Sequence, residues 1–205
     1  RARAAQLEAL GARVRLGCDV LPDAEDWALG VVSPGVPAAS PWVTALRRRG
    51  VPLLAELELG WSRFPGRTLA VSGSNGKSTL VKLCVEAMRL AGVRAMAAGN
   101  YGLPVSQVAL ERRDCAWLVL EVSSFQLETV DRFRPDVAVL LNILPNHLDR
   151  HGDLDAYTRL KARLFARQRP EDCSVAPAEL AALLARLEDS PRRWVTFGAA
   201  PEADW

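Results

Sequence analysis

A lysine that follows a glycine-bearing turn and precedes two hydroxyl side chains can grip an anion, and residues 73–79 read Gly-Ser-Asn-Gly-Lys-Ser-Thr. Successive backbone N–H groups in such a turn point at one anion, and glycines let the backbone come close to it. The run Thr68 to Val71 reads as a strand entering the turn, and Leu80, Cys84, Ala87, Met88 and Ala91 fall at helical spacing after it. The turn therefore opens a helix whose N-terminal amides and partial positive dipole serve the same anion. In this geometry Gly73, Ser74, Asn75, Gly76, Lys77, Ser78 and Thr79 would cradle a nucleotide phosphate. Lys77 would offset β- and γ-phosphate charge, and the Ser78 hydroxyl would ligate Mg²⁺. The longer form of this loop carries a glycine where Val71 stands, so only GxxGKST is present. The competing reading is a plain helix start with a solvated lysine.

Ligands of open α/β sheets sit outside the carboxyl ends of the strands, so the other strand ends matter. The apolar run in "AWLVLEVSSFQLE" is broken by Glu121, whose carboxylate would stand beside the phosphate loop, ready for Mg²⁺. Ser123 and Ser124 can cap the helix that follows, and Ser124 need do no more than that. A second apolar run ends at Asn142 in "DVAVLLNILPNHLDRHG"; both histidines of the chain, His147 and His151, follow in that loop. A lone histidine more often has a structural role, but His147 lies between Asn146 and Asp149 after a third strand end. A further strand runs into "AAGNYGLP", where Gly99, Asn100 and Gly102 permit close backbone approach. Four polar loops at four strand ends argue jointly for one site.

The elements that must position these residues alternate. Strands are expected at Thr68–Val71, Arg94–Ala98, Trp117–Leu120, Val137–Leu141 and Trp194–Phe197. Helices are expected at Ser78–Ala91, Pro104–Leu110, Phe125–Asp131, Leu154–Arg167 and Pro177–Glu188. Such alternation implies a mostly parallel sheet with helices on both faces. Upstream, Ala2–Leu10 and Pro41–Arg49 read as helices, "ARVRLG" and "ALGVVS" as short strands, Leu21–Asp26 as a turn, and "VPLLAELEL" as a strand running into a helix. "GWSRFPGR", residues 60–67, reads as a linker. The fold class is thus α/β: a partial Rossmann-like domain over 1–60, then a P-loop-type, mostly parallel sheet flanked by helices over 61–205.

Bulk properties narrow the function classes. The chain has 205 residues, 49% of them hydrophobic and 24% charged, enough for a packed core. A net charge of +2 gives no electrostatic case for nucleic acid or a membrane surface. Cys18, Cys84, Cys115 and Cys173 form no CxxC pair, which disfavours zinc or redox motifs and suits a reducing, cytoplasmic compartment. No apolar run approaches the length of a membrane span.

"GSNGKST", "GNYGLP", "LEVSSFQLE" and "NILPNHLDRHG", followed by "YTRLKARLF", resemble the Mur ligases of bacterial cell-wall synthesis. The likeness extends to "VVSPGVPAASPWVTALRRRGVPLLAELEL" and so covers most of residues 27–165. The SSFQLE string implies the member that joins D-glutamate to UDP-N-acetylmuramoyl-L-alanine at the expense of ATP. The resemblance implies a chemistry in which the substrate carboxylate attacks the γ-phosphate and the resulting acyl phosphate is captured by the amine. Two anions must meet, and at about 4 Å they repel by about 4 kcal/mol at an effective dielectric of 20. Lys77, a Mg²⁺ on Ser78 and Glu121, and a second Mg²⁺ at His147 would offset that repulsion.

Lys161 reads from its own surroundings as a solvated helix lysine. The match to YxxxK implies instead that CO₂ carbamylates it, turning a cation into an anionic oxygen donor for the second metal. By motif, Asn100, Ser123, Gln126 and His147 would contact the muramoyl-alanine end, Gly35 the diphosphate, and Asn142 the nucleotide. The family has a third, amino-acid-binding domain that finds no counterpart here. Residues 1–205 are therefore expected to be a monomeric portion of a longer polypeptide, inactive alone. Alternatives are another Mur-type or folylpolyglutamate-type ligase, distinguished by its amino-acid acceptor, and a nucleotide-binding fragment without catalysis.

Overall fold

The computed structural model describes residues 2–18, 26–111, 114–188, 193–199 and 203–205. Six strands form one all-parallel sheet: β3 (Arg67–Ser72), β4 (Ala95–Gly99), β5 (Trp117–Glu121), β6 (Val137–Leu140), β7 (Cys173–Pro177) and β8 (Arg193–Phe197). Their spatial order is β4-β5-β3-β6-β7-β8. The chain leaves β3 for one side of the sheet, returns to pair β5 with it, then crosses to β6 on its other side. That reversal brings the loops after β3, β5 and β6 to one crevice, with the β4 loop alongside.

Strand alternation explains the two layers of core. Leu69 and Val71 of β3, Val119 of β5 and Val139 of β6 point to one face. They pack on Val81 and Val85 of α4 (Lys77–Leu90). Ala70, Leu118, Leu120, Ala138 and Leu140, one residue out of phase, point to the other face. There they meet Leu57 of α3 (Glu56–Arg63), Val105 and Val108 of α5 (Val105–Glu111), and Leu184 of α9 (Ala178–Leu187). Burial on both faces is why these strands read as continuous apolar runs. A separate two-stranded parallel sheet pairs β1 (Gly30–Val32) with β2 (Leu53–Ala55) across α2 (Pro41–Arg48). The first helix, α1 (Ala2–Ala9), buries none of its residues.

Several expectations are corrected. Residues 12–18 form no strand: they are largely exposed and no neighbouring strand pairs with them. The turn expected at Leu21–Asp26 falls, but for its last residue, outside the described residues. The linker at 60–67 is instead the last turn of α3 and the start of β3, with Gly60 buried. The helix expected over 125–131 shrinks to α6 (Ser124–Leu127). Buried Glu58 accepts the N–H groups of Asp131 and Arg132 at 2.6 and 2.8 Å, which takes those amides out of helical pairing. The helix expected to reach Arg167 ends as α8 (Leu154–Ala162) and tightens into i→i+3 turns: Leu164, Phe165 and Ala166 N–H donate to Lys161, Ala162 and Arg163 carbonyls. Strand β7 and the one-turn α7 (Leu148–His151) add elements the sequence did not suggest.

Candidate active site

The loop after β3 is shaped by its glycines and tied down by its neighbours. Gly76 takes φ +84°, a left-handed conformation at the position preceding α4, and turns the chain into the helix. Asn142, at the end of β6, accepts the N–H groups of Ser74 and Asn75 on its side-chain oxygen, both at 3.0 Å, and donates to the Asn75 carbonyl at 3.2 Å. The Ser74 hydroxyl donates to Leu144 O at 3.0 Å and accepts Leu144 N–H at 2.9 Å. Asn142 thus holds the loop over residues 73–78 in shape.

Two amines converge on this loop. Lys77 Nζ curls back to donate to the carbonyls of Gly73 and Ser74, each at 2.9 Å. Lys161 Nζ donates to the same Gly73 carbonyl at 3.0 Å and to Ser72 Oγ at 3.3 Å. Lys161 is only 1% exposed, and its amine lies 4.7 Å from the ring centre of Tyr157. Burial, with the nearby Lys77 charge second, pulls its pKa down to about 7 from the ordinary 10.5. Burial also lowers the pKa of Lys77, partly countered by Glu121. This overturns the solvated-lysine reading of Lys161. The cause is helical spacing: Tyr157 and Lys161, four apart on α8, turn one buried face toward β3.

Glu121, 3% exposed at the end of β5, has both oxygens engaged. Ser78 Oγ donates to one at 2.6 Å and Asn100 Nδ2 to the other at 2.7 Å. The Asn100 N–H also donates to the Glu121 carbonyl at 2.9 Å. Hydroxyl and carboxylate oxygens side by side are hard donors suited to Mg²⁺, which commonly takes one or two protein oxygens and completes its shell with phosphate and water. Among the described residues no group of three or more His, Cys, Asp or Glu forms a complete protein cage.

The loop after β6 carries His147 in a left-handed conformation, φ 52°, ψ 33°, the one positive φ among described non-glycine residues. Its ring is exposed and lies 4.9 Å from the Phe125 ring. A cleft of about 130 Å³ is lined by Gly73, Lys77, Asn100, Ser123, His147 and Lys161. Ser124, Phe125, Asn146 and Tyr157 complete its wall. Beyond the loop, a shallow groove of about 460 Å³ runs along Asn75, Gly76, Thr79, Leu83, Asn142 and Phe197.

Four expected residues are placed differently from the rest. Ser123, at the cleft, caps α6 and forms a capping box with Gln126: Ser123 Oγ accepts Gln126 N–H at 3.2 Å and Gln126 Oε1 accepts Ser123 N–H at 2.9 Å. Gln126 is 3% exposed and points inward. Ser124, expected only to cap, instead meets His151 Nε2 at 3.1 Å. Gly35 sits on an exposed turn outside the cleft lining. Its loop is nonetheless anchored to the site, because Ala38 N–H donates to Glu128 at 3.3 Å. Tyr157, Phe125 and Glu128 are site residues that the sequence reading did not single out; Tyr157 was signalled only by its i, i+4 relation to Lys161.

The profile of the Mur ligase middle domain matches residues 71–205. The chain belongs to the Mur ligase family. Among curated Mur ligases, UDP-N-acetylmuramoylalanine--D-glutamate ligase of Koribacter versatilis is 44% identical over 154 residues, covering 75% of this chain and 34% of that protein. The ligase of the same name from Gloeobacter violaceus is 40% identical over 204 residues, 99% of this chain and 46% of that protein. The chain thus spans between a third and a half of the length of these relatives. Among solved structures, UDP-N-acetylmuramate:L-alanyl-gamma-D-glutamyl-meso-diaminopimelate ligase from Neisseria meningitides superposes with a TM-score of 0.59 at 20% identity, over 96% of this chain and 61% of that one. A MurF ligase from Thermotoga maritima in complex with ADP gives 0.56 at 18% identity, over 87% and 49%. At these identities the structural likeness concerns the fold: mixed α/β with parallel strands between helices. No described helix is long and apolar enough to cross a membrane.

Proposed function

We propose that this chain carries the ATP-binding centre of a cytoplasmic, monomeric ligase that joins D-glutamate to UDP-N-acetylmuramoyl-L-alanine in peptidoglycan synthesis. The observation that carries the reading is the single cleft in which Lys77, His147 and Lys161 meet, with the Ser78–Glu121 pair hydrogen-bonded beside the loop. The names of the curated relatives supply the acceptor and donor. In this reading residues 61–205 hold ATP and residues 1–60 hold part of the UDP end. Both curated relatives extend well beyond the matched stretch, and the groups that bind D-glutamate are assigned to such additional sequence.

The β- and γ-phosphates rest on the amides of Gly73 to Thr79, and adenosine lies along the Thr79–Phe197 groove. Lys77 exchanges its two carbonyl partners for phosphate oxygens. A carboxylate oxygen of the muramoyl-alanine attacks the γ-phosphorus, the bond to the ADP oxygen breaks, and an acyl phosphate results. The D-glutamate amine then adds to the acyl carbon, loses a proton, and expels inorganic phosphate. Ser78 and Glu121 would hold one Mg²⁺ and His147 a second, and the ions would supply positive charge against the triphosphate and the attacking carboxylate. Asn100 keeps Glu121 oriented and, with Ser123 and His147, borders the muramoyl-alanine. Gln126 acts through Ser123, and Asn142 acts on the nucleotide through the loop it holds. Gly35 meets the diphosphate.

As an ammonium Lys161 has no lone pair to offer a metal. With its pKa near 7 a large share is neutral at neutral pH, and that form adds to the carbon of CO₂, releases a proton and becomes an anionic carbamate beside His147. The test is ADP release by the full-length polypeptide. It should require both UDP-N-acetylmuramoyl-L-alanine and D-glutamate, with a product heavier by one glutamyl residue. Release unaffected by omitting the muramoyl-alanine, or preference for diaminopimelate or a folate-type acceptor, would overturn the assignment.

A further inference from the structure

A partly buried ion pair outside the phosphate machinery joins three separate parts of the chain. Glu128 follows α6 and is mostly buried. Arg150 of α7 grips it bidentately, Nε to Oε1 and a terminal nitrogen to Oε2, both at 2.7 Å. The same Oε2 accepts the Ala38 N–H from the loop between β1 and α2. Bidentate, charge-assisted contacts are the most directional that side chains make. Arg150 also lies over the Phe125 ring, 4.1 Å from its centre, and the rings of His147 and His151 lie 4.9 and 5.5 Å from that same ring. The main chain completes the link, because Arg150 N–H donates to the His147 carbonyl at 3.1 Å.

We propose that Glu128 is a positioning residue: by holding the Arg150 guanidinium and the Ala38 amide together, it fixes the His147 loop relative to the Gly35 loop. Resting on the function proposed above, this sets the span between the two ends of a long substrate, diphosphate at one loop and carboxylate at the other. A single carboxylate thereby couples recognition of the sugar-nucleotide to placement of the reacting group. His147, at the centre of the loop so fixed, holds a left-handed backbone that is uncommon outside glycine.

The experiment needs no substrate, so it stands or falls independently of the ligase assignment. In the purified chain, Glu128→Gln and the milder Arg150→Lys are compared with Arg134→Gln. Arg134 makes a second two-bond pair with Asp172, at 2.7 and 3.2 Å, near the amino end of β6, the opposite end from the cleft. Two quantities are read by NMR: hydrogen exchange of the Ala38 amide and the His147 ring proton shift caused by Phe125. Both site variants should speed Ala38 exchange about tenfold or more. Both should also move the His147 signal toward its position in an unstructured peptide. Arg134→Gln should leave both readouts unchanged even if it lowers the unfolding temperature as much. If Ala38 responds while the His147 signal stays put, or if Arg134→Gln moves it equally, Glu128 is a local structural pair and the proposal fails.

Discussion

Replacing Lys161 with methionine keeps the length of the side chain and removes its amine. The lysine is 1% exposed, and its folded pKa of about 7 lies below the 10.5 of an accessible lysine. Between those two values the unfolded chain holds a proton that the folded chain has released, so stability rises with pH across that window. Below about pH 7 both states are charged, and folding bears the whole cost of burying an ammonium. The gap between 10.5 and about 7, at about 1.4 kcal/mol for each pH unit, corresponds to about 5 kcal/mol. At high pH the neutral amine still donates to the Gly73 carbonyl, a bond worth about 1 kcal/mol that methionine lacks. Lys161→Met should therefore be more stable than the native chain at pH 6 and slightly less stable at pH 10. Urea unfolding of both proteins in CO₂-free buffer, every half pH unit, measures the difference. It should change by about 3 to 5 kcal/mol, with most of the change above pH 7. Parallel stability curves would show that the amine is not held as its burial implies, and the route to a neutral, CO₂-reactive lysine would fall with it.

Lys77→Ala should weaken Mg·ADP binding about ten- to a hundredfold by calorimetry and abolish turnover of the full-length polypeptide; unchanged binding would remove Lys77 from the phosphate site. Asn142→Ala leaves the Asn75 N–H without its partner and should lower Mg·ADP affinity about tenfold while Lys77 is intact, checked by the same titration. Gly99→Ala meets a φ of +97° and a Cβ that would lie 2.4 Å from the Glu121 carbonyl oxygen. Urea unfolding should show a loss of about 2 kcal/mol or more, and an unaltered midpoint would contradict the packing described.

The sheet was legible because β3, β5 and β6 are buried on both faces and so stand out as apolar runs. The glycine-bearing loop after β3 and Glu121 were legible because each closes such a run. What escaped detection depended on partners distant in sequence. Glu58 shortens α6 by capturing two amides more than seventy residues away, which no local propensity reports. Strand β7 carries Ser174 as its second residue and ends in Pro177, so it does not stand out as an apolar run. Lys161 reads as a surface lysine until α8 is laid against β3, and only the family resemblance identified it beforehand. Gln126 shows what a motif leaves out: its side chain forms the capping box of α6 with Ser123, a structural role its place in the string does not reveal.

The central claim is that the turn from Gly73 to Ser78 receives a triphosphate beside the Ser78–Glu121 pair. A crystal structure of the chain with magnesium and a non-hydrolysable ATP analogue tests it most directly. The account requires the β- and γ-phosphates on the loop amides, Lys77 Nζ moved from the Gly73 and Ser74 carbonyls onto phosphate oxygen, and a metal touching Ser78 Oγ. Nucleotide bound elsewhere, with Lys77 still on those carbonyls and Ser78 still on Glu121, would contradict it.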